Sequence, residues 1–426
     1  MKKGKSFDDE GVSAEHFFHA PLEVFVRLQQ LFMSMIYHSH VPDQFKLGTI
    51  IPIVKDHSGN LSDRNNYRGI TIASIVSKIF EHVLRIVFGS FLQTSSHQFG
   101  FKKNSSTSHA LYCLKEAINY YTERSSNVYC SFLDASKAFD RLVHAGLFLK
   151  LLERNVPLVF LDILIYWYLD LQCRVRWGET CSSWFSILAG VRQGGILSPD
   201  LYCIYVDDLS NILKRHGIGC HIRGIFLSIL LYADDMALIS PSLRGLQSLL
   251  KICESYCQEW DICLNPKKTK NVAFGQNITD LCPLMLDNKP LEWVSEWKYL
   301  GVVLRSHSSF NCSIDDRLRR FYKCLNAILR VEGRSNDTVM LQLLEAHCVP
   351  KLTYAIEVLH IADVNNRRKL RVAYNSIFRK IFNYRYSESV RELQSQLKRP
   401  NWEELIERRQ LKFHQGLSAH PITCLI

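Results

Sequence analysis

The sequence has no apolar run of the roughly 20 residues that a membrane-spanning helix requires. Its first residues, MKKGKSFDDEGVS, also lack the apolar stretch of a secretory signal peptide. Internal repeats and low-complexity tracts are absent as well. We therefore expect an intracellular globular protein without a membrane partner, in the nucleus or in the cytoplasm, and of an oligomeric state that the sequence leaves open.

Cysteine is plentiful but follows no metal-binding pattern. The 14 cysteines contain no CxxC pair, and the closest two, Cys253 and Cys257, have helical spacing and no matching Cys or His pair downstream. This distribution argues against a zinc knuckle and against a disulfide framework. Most of the cysteines are expected to be reduced members of a packed core, as in intracellular proteins.

Positive charge is concentrated towards the end of the chain. The 426 residues carry a net charge of +11, and residues 305–426 hold 21 Lys and Arg against 12 Asp and Glu, a net charge of +9. A basic, mostly helical segment suits a polyanionic partner, although a solvated helical surface is the plainer alternative. The hydrophobic content of 47% allows a sizeable core, in two or three subdomains or in one large enzyme core.

Hydrophobic periodicity predicts an α+β fold. Strand-like runs are interspersed with helical patterns as far as residue 304, and helical periodicity dominates from residue 313. The expected helices are 21–38, 72–92, 106–123, 136–152, 159–171 and 244–261, and a further helix begins at Ser198-Pro199. The expected strands are 47–54, 129–133, 271–274, 284–286 and 297–304, together with two strands around Gly178 and a hairpin over 226–238.

Two adjacent carboxylates interrupt the apolar segment SILLYADDMAL at residues 228–238. Burial of an unpaired carboxylate is costly, so Asp234 and Asp235 need a cation partner, a metal ion or a turn that exposes them. A hairpin with residues 232–235 at its tip would hold both where they can bind divalent cations. Taken alone, this pattern fits an exposed turn as well as it fits a metal site.

A third carboxylate, Asp134, closes the short apolar run 131–133 and precedes a helical pattern. If the two strands are neighbours, Asp134 meets Asp234 and Asp235. Three converging carboxylates can bind two Mg²⁺ ions for an in-line phosphoryl transfer. Asp140 lies further along the following helix and is interpreted as a surface or capping carboxylate.

Seven segments, in order along the chain, resemble the motifs of reverse transcriptases, most closely those of non-LTR (LINE-type) retrotransposons. FLDASKAFD, GVRQGGILSP and YADD resemble polymerase motifs A, B and C. KLGTIIPIVKD with NNYRGITI resembles the first finger motif, and HQFGFKKNSST resembles the second. LNPKKTK resembles motif D and WKYLGVVL resembles motif E, so that the resemblance covers residues 40–304.

The resemblance implies an RNA-directed DNA polymerase, a nucleotidyltransferase with a right-hand fold. The implied domains are fingers with an N-terminal extension at residues 1–128, a palm at 129–304 with a finger insertion near 146–188, and a helical thumb with the C-terminal region at 305–426. The palm is expected to be an antiparallel sheet with helices. The implied partners are an RNA template, a DNA primer and dNTPs. The implied cofactor is a pair of Mg²⁺ ions, which Mn²⁺ could replace.

The same resemblance implies three catalytic, metal-binding residues. Asp134 matches the motif A aspartate that binds both ions, and Asp234 matches the first motif C aspartate, which shares that role. Asp235 matches the second motif C aspartate, which is more peripheral but still needed. Lys268 fits the Asn-x-x-Lys-Thr pattern of motif D and is a candidate general acid for pyrophosphate departure. Lys267 and Lys270 are alternatives, and so is a simple solvated face.

Contacts with the incoming nucleotide are implied for five residues. Lys55 and Arg68 match finger residues that contact the triphosphate, where cations offset phosphate charge. Phe139 matches the aromatic steric gate, whose ring against C2′ leaves no room for a 2′-hydroxyl; an aromatic of a helix core is the alternative. Gln193 and Gly194 match the motif B loop, where a small residue lets the backbone approach the nascent base pair.

Contacts with nucleic acid are implied for motif E and for the thumb. Tyr299, Leu300 and Gly301 match the hairpin that grips the primer end, for which an ordinary β-turn is the alternative. Basic residues of a predicted thumb helix could track the phosphates of an RNA–DNA hybrid. They are Arg317, Arg319, Arg320 and Lys323.

Three segments found in related elements are not recognised here: an endonuclease before the polymerase, a ribonuclease H carboxylate set and a C-terminal zinc knuckle. Nicking of the target site is therefore expected to come from elsewhere, and the chain is expected to be a truncated copy with intact polymerase motifs. One alternative is a catalytically inactive remnant that binds RNA through its basic thumb. Another is a polymerase adopted by the host for a cellular role.

We predict that Phe139→Ala admits ribonucleotides, because loss of the ring opens the space beside C2′. Primer extension with dNTPs and with rNTPs should show the preference for dNTPs falling by roughly tenfold or more, which corresponds to about 1.4 kcal/mol of discrimination. The dNTP reaction serves as the control for folding. A variant that still incorporates dNTPs and still rejects rNTPs would contradict the assignment.

Overall fold

The computed structural model of this chain describes residues 3–4, 6–276, 278–279, 281–331, 336–359 and 364–426. Among these residues, no helix is both long enough and apolar enough to cross a membrane. The chain divides into two compact units. The first unit comprises residues 1–101, 135–215 and 252–265, and the second comprises residues 102–134, 216–251 and 266–426.

Helices occur along the whole chain. In order, the α-helices are α1 Ala14–Phe18, α2 Leu22–Tyr37, α3 Asp43–Lys46, α4 Ile75–Val87, α5 Thr107–Thr122, α6 Ala138–Arg141, α7 His144–Glu153, α8 Leu158–Leu169, α9 Ser198–His216, α10 Leu243–Glu259, α11 Asp315–Val331, α12 Asp337–His347, α13 Val349–Thr353, α14 Val364–Ile381, α15 Arg391–Gln396 and α16 Trp402–Leu417. Short 3₁₀ helices span Arg64–Asn66 and Gly89–Leu92.

Among the described residues, strands occur only before α11. In order, they are β1 Leu47–Val54, β2 Tyr67–Ile72, β3 Val128–Asp134, β4 Gln172–Trp177, β5 Thr180–Cys181, β6 Phe185–Ser186, β7 His221–Ile222, β8 Ile225–Phe226, β9 Ile229–Tyr232, β10 Asp235–Ser240, β11 Lys270–Phe274, β12 Leu284–Leu286, β13 Lys289–Trp293, β14 Glu296–Tyr299, β15 Val302–Arg305 and β16 Asn311–Ser313.

The first unit contains a five-stranded sheet built around β1. The apolar, β-branched sequence LGTIIPIV favours a strand here. β1 pairs antiparallel with β2, from Thr49 opposite Ile72 to Val54 opposite Tyr67. On its other side β1 pairs parallel with β4, which in turn pairs with β5 and β6.

An aromatic cluster around Trp167 joins three helices of the first unit. The Trp167 side chain is 1% exposed and packs on Phe80 of α4 and Phe45 of α3, with ring centroids 5.9 Å and 6.0 Å apart. Its indole N–H donates to the Phe45 carbonyl oxygen at 2.9 Å. A buried indole needs such an acceptor, so this hydrogen bond fixes the position of α8 against α3.

The second unit contains a six-stranded sheet in the order β12-β13-β11-β3-β10-β9. β3 lies in the interior of the sheet and pairs antiparallel with both β10 and β11. Most of β3 and β10 is buried, as expected of the apolar sequences VYCSFL and MALI. The unit also contains the three-stranded sheet β14-β15-β16 and the two-stranded ribbon β7-β8.

The C-terminal helices of the second unit share a hydrophobic core of their own. Residues from α11, α12, α14 and α16 meet in it, among them Phe321, Leu325, Leu344, Ile377 and Trp402. Helical periodicity from residue 313 onward predicted these helices, and the structure confirms them.

The predicted helix 72–92 is too long at both ends. β2 ends at Ile72, α4 spans Ile75–Val87, and Gly89–Leu92 is a 3₁₀ helix. The run RGITI is rich in β-branched residues and pairs with β1. The first residue of the predicted helix, Ile72, therefore belongs to the sheet.

The predicted helix 136–152 is broken into α6 and α7 at Leu142 and Val143. The break has a tertiary cause, because the carbonyl oxygen of Leu142 accepts a hydrogen bond from the backbone N–H of Gly190 at 2.7 Å. A continuous helix would use that carbonyl for its own ladder.

We predict that Leu325→Ala lowers the free energy of unfolding by about 2–5 kcal/mol, because Leu325 is fully buried among the C-terminal helices. Leu411→Ala, at a position that is 60% exposed, should change it by less than about 0.5 kcal/mol. Denaturant unfolding of both variants measures the difference. Equal effects would contradict this assignment of the core.

Candidate active site

The β9–β10 hairpin presents two carboxylates at its tip. Tyr232 pairs with Asp235, so Ala233 and Asp234 form a two-residue turn. Ala233 takes a left-handed conformation with φ of +57°, which tight hairpin turns require. The strands on either side are buried, whereas Asp234 and Asp235 reach solvent. The turn therefore exposes both carboxylates, which is one of the alternatives that the sequence left open.

Asp134 lies directly across the sheet from this tip. β3 and β10 pair antiparallel from Tyr129 opposite Ser240 to Asp134 opposite Asp235. Directly opposed residues of an antiparallel pair have Cα atoms about 4.5–5.5 Å apart, with side chains on the same face. The last residue of β3 and the first residue of β10 therefore bring two carboxylates together, with Asp234 next to them in the turn.

The electrostatics of this cluster follow from its crowding. Partial desolvation raises the pKa of Asp235, and the negative charges of Asp234 and Asp134 raise it further, to about 6. One cation is near, because the ammonium nitrogen of Lys268 lies 3.6 Å from an oxygen of Asp134. The Lys268 side chain is 65% exposed, so screening by water keeps this ion pair weak.

The three carboxylates fit a divalent cation by the chemistry of their donors. Mg²⁺ prefers carboxylate oxygens, keeps several waters and takes further ligands from phosphates. Among the residues that the structure describes, no group of three or more His, Cys, Asp or Glu side chains is placed to hold a metal ion. Burial, together with the negative charges of Asp234 and Asp134, raises the pKa of Asp235, and a bound cation would oppose that rise.

The predicted primer-grip turn lies in the same unit. Tyr299 pairs with Val302, and both Leu300 (φ +43°) and Gly301 (φ +79°) are left-handed, the pattern of a type I′ turn. Tyr299 is buried and packs on Phe132 of β3 with ring centroids 4.8 Å apart. Tyr299 therefore fixes the hairpin on the sheet, and the Leu300-Gly301 backbone forms the turn itself.

The motif B loop of the first unit is held closely against α6. The backbone N–H of Val191 donates to the Phe139 carbonyl oxygen at 2.7 Å. Gly190 has φ of +91°, and a Cβ added to it would lie 2.7 Å from the Asp140 carbonyl oxygen. Only glycine permits this approach of the loop to the helix.

Gln193 and Gly194 lie where the same loop meets β2. The backbone N–H of Thr71 donates to the Gln193 carbonyl oxygen at 2.8 Å. Gly194 has φ of +132°, and a Cβ there would lie 2.6 Å from the Thr71 carbonyl oxygen. The side-chain amide of Gln193 donates to the Asp140 carboxylate at 2.7 Å. The orientation of Gln193 is therefore set by both α6 and β2.

The end of the loop is held by a buried carboxylate. Glu81 of α4 accepts hydrogen bonds from the backbone N–H groups of Ile196 and Leu197, just before α9 begins. Negative charge is favourable at a helix N-terminus. Arg192 lies 3.7 Å from Glu81 and donates to the Phe45 carbonyl oxygen at 2.9 Å. Burial raises the pKa of Glu81, and the positive charge of Arg192 opposes that rise.

The remaining nucleotide-contact candidates also lie in the first unit. The Phe139 ring stacks on Tyr202 of α9, with centroids 4.8 Å apart and an interplanar angle of 21°. Arg68 is an exposed residue of β2. Lys55 is exposed at the end of β1, where its ammonium donates to the Asn65 carbonyl oxygen at 2.9 Å. The structure thus places Phe139 on an aromatic support and both cations on the β1–β2 hairpin.

The four predicted thumb cations differ in accessibility. Arg319, Arg320 and Lys323 are exposed on α11. Arg317 is only 5% exposed, and its guanidinium donates to the Leu352 carbonyl oxygen at 2.7 Å. Arg317 therefore lies inward of the exposed face of α11 that carries the other three cations.

The antiparallel strands β3 and β10 bring carboxylates together at one end, and Lys268 lies beside them. This arrangement is expected of a nucleic-acid polymerase. Comparison with known families agrees. The family model described as "Reverse transcriptase (RNA-dependent DNA polymerase)" matches residues 54–304. The chain belongs to this family. The predictions of a non-LTR reverse transcriptase and of an α+β right-hand polymerase fold are therefore confirmed.

The chain is similar to polymerases of mobile elements. It is 27% identical to the RNA-directed DNA polymerase from mobile element jockey of Drosophila funebris, over 94% of this chain and 44% of that protein. It is 28% identical to the probable RNA-directed DNA polymerase from transposon BS of Drosophila melanogaster, over 92% of this chain and 45% of that protein. The chain thus spans less than half the length of these curated relatives.

Among solved structures, telomerases are similar. Apo telomerase from Candida tropicalis gives a TM-score of 0.48 at 13% identity, over 84% of this chain and 66% of that chain. Telomerase from Candida albicans, solved with a fragment of telomeric RNA, gives a TM-score of 0.45 at 13% identity, over 87% of this chain and 68% of that chain.

Sequence reasoning missed the residues that hold the motif B loop. Asp140 is exposed, as expected of the surface carboxylate that it was interpreted to be, but the hydrogen bond that it accepts from the Gln193 amide was not foreseen. Glu81 has no motif around it, and its partners are more than 100 positions away along the chain. The one available signal was a carboxylate on the apolar face of α4, which must find hydrogen-bond donors if it is buried.

We predict that Asp140 acts through Gln193. Loss of the carboxylate in Asp140→Ala frees the amide and should raise the KM for dNTPs by about tenfold, the size of one charge-assisted hydrogen bond. Asp140→Asn keeps an oxygen acceptor and should stay near the wild type. The double variant Asp140→Ala with Gln193→Ala should be no worse than Gln193→Ala alone. Additive losses in KM or kcat would show that Asp140 acts independently.

Proposed function

We propose that this chain is an RNA-directed DNA polymerase that adds dNTPs to a primer 3′-hydroxyl on an RNA template. One observation carries the proposal: Asp134 lies opposite Asp235, beside Asp234, within the segment that matches the reverse transcriptase family. Little covalent chemistry is required of the protein, because positioning and charge stabilisation supply most of the acceleration in phosphoryl transfer.

Reverse transcriptases are generally dependent on divalent metal ions. In this chain Asp134 and Asp234 would hold two Mg²⁺ ions, or Mn²⁺ in their place, with Asp235 at the edge of the site. When bound, the ions supply charge stabilisation to the attacking and leaving oxygens. The chain's own contribution is to hold the three carboxylates close together, at the end of β3 and in the β9–β10 turn. Lys268, whose ammonium nitrogen lies 3.6 Å from an oxygen of Asp134, would give a proton to the departing pyrophosphate.

The first unit would supply nucleotide selection. Lys55 and Arg68 would contact the triphosphate, Phe139 would exclude the 2′-hydroxyl, and Gln193 with Gly194 would contact the nascent base pair. The stacking of Phe139 on Tyr202 supports this role, because a ring fixed at 4.8 Å from its support cannot move aside to admit a larger sugar.

The domain boundaries follow from the resemblance. Fingers would comprise residues 1–128, the palm residues 129–304 with a finger insertion near 146–188, and the thumb with the C-terminal region residues 305–426. The parallel pairing of β4 with β1 supports the insertion as a part of the fingers. The shared core of the C-terminal helices supports the thumb as one structural element. Its exposed cations Arg319, Arg320 and Lys323 would follow the phosphates of the hybrid.

The biological setting would be retrotransposition. Relatives of this chain are named as polymerases of mobile elements, among them jockey and transposon BS. Target-primed reverse transcription would use a nick in the target DNA as the primer and the element's RNA as the template. The chain itself contributes the polymerase to that process.

We predict that purified protein extends a DNA primer on an RNA template with dNTPs and Mg²⁺, and that Asp234→Asn lowers the rate on the order of 1,000-fold. The substitution removes one negative charge and leaves the shape of the turn. Lys412→Ala, an exposed change on α16, is the matched control and should keep the wild-type rate. Folded wild-type protein that binds RNA but incorporates nothing would favour the inactive remnant.

A further inference from the structure

A basic pocket lies in the second unit, between α11 and the segment that contains α12 and α13. Its volume is about 300 Å³. Its polar lining comes from Arg317, Arg320, His347, Lys351 and Tyr354, and none of its lining residues in the described chain is acidic. The pocket is therefore a concentration of hydrogen-bond donors with positive charge.

Arg317 forms the buried part of this lining. Its guanidinium has five N–H donors, and the hydrogen bond to the Leu352 carbonyl oxygen uses one of them. The neighbouring carboxylate of Asp316 pairs instead with Arg320 at 3.0 Å and with Lys298 at 3.7 Å. Glu357, whose charge also reaches Arg317, is paired with Arg409 at 3.5 Å.

A buried cation without its own counter-ion is costly. Burial lowers the pKa of Arg317, and the positive charge of Arg320 lowers it further. Arginine nevertheless stays protonated at neutral pH. An anion in the pocket would offset this charge and use the remaining donors. The pocket therefore has both a buried positive charge that an anion would neutralise and a volume large enough to hold that anion.

The position of the pocket indicates which kind of anion it binds. Tyr354, one of its walls, donates its hydroxyl to the Leu300 carbonyl oxygen at 3.0 Å. A Cβ on Gly301 would lie only 3.0 Å from the same ring. The pocket is therefore next to the Leu300-Gly301 turn, the predicted primer grip. Guanidinium groups and ammonium groups both bind phosphates well, and guanidinium can do so with two parallel hydrogen bonds.

We propose that this pocket binds one backbone phosphate of a nucleic-acid strand close to the primer end. Arg317 and Lys351 hold its oxygens, and Arg320 and His347 line the approach. This inference rests on the proposed polymerase function, because the strand is the one that the polymerase extends or copies. It adds Lys351, His347 and Tyr354 to the residues that the family motifs indicate.

The test measures binding of an RNA–DNA hybrid, separately from polymerisation. Lys351→Ala and Arg317→Met should each weaken hybrid binding about tenfold and reduce the slope of log affinity against log salt by about 1. Lys412→Ala, which removes one exposed charge of the same unit away from the pocket, should change affinity less than twofold. Arg317→Met keeps most of the buried volume, and Lys351 is only half-buried, so at least one variant should remain folded.

Neutral methylphosphonates, placed one at a time along each strand, identify the bound phosphate. At one position near the primer end, the substitution should weaken binding by the wild type and have no further effect on Lys351→Ala. Equal effects on both proteins at every position would overturn the proposal. The proposal would also be overturned if inorganic pyrophosphate stabilised the wild type against unfolding while Lys351→Ala and Arg317→Met left the affinity for the hybrid unchanged. Wild-type protein that fails to bind the hybrid at all would instead overturn the proposed function.

Discussion

The register between β3 and β10 is the constraint on which the candidate site depends. Side chains alternate along a strand, so a shift of one residue would turn Asp134 to the opposite face from Asp235. Six consecutive pairs, from Tyr129 opposite Ser240 to Asp134 opposite Asp235, fix the register. The apolar residues between these ends hold the carboxylates in place, because they can be buried in only one alignment.

Burial in the sheet offsets the repulsion that the site creates. Two unit charges 5 Å apart repel by about 3 kcal/mol at an effective dielectric constant near 20, and by less where water screens them. Leu230, Leu231, Leu238 and Ile239 are fully buried beside the tip. Each such side chain contributes about 1.5–3 kcal/mol, or about 6–12 kcal/mol for the four, which matches the three pairwise repulsions of the three carboxylates, about 10 kcal/mol before water screens them. The hairpin can therefore keep like charges together without an ion, and an ion would add to its stability.

The carboxylate site could be predicted from sequence because its signals are local. Apolar runs that end in aspartate predict strand ends, whereas the pairing of β3 with β10, which brings the aspartates together, joins distant segments and is seen only in the structure. β2 was missed because residues 67–71 are a short run beside a polar loop to which no element was assigned, and only the pairing with β1 makes them a strand. Three other features arise from contacts between distant segments. They are the break between α6 and α7, the hydrogen bond that the Gln193 amide donates to Asp140, and the hydrogen bonds that Glu81 accepts. No local pattern encodes such contacts, so the structure was needed to find them.

Cleavage of the backbone by a bound metal tests the central claim most directly. Fe²⁺ in place of Mg²⁺, with ascorbate and peroxide, generates hydroxyl radicals that cut the chain close to the ion. The account predicts cuts in two segments only, around Asp134 and around Asp234-Asp235, that Mg²⁺ competes away and Asp134→Asn abolishes. Cuts at one segment alone, or cuts that persist in Asp134→Asn, would contradict a shared metal site at the end of β3 and β10.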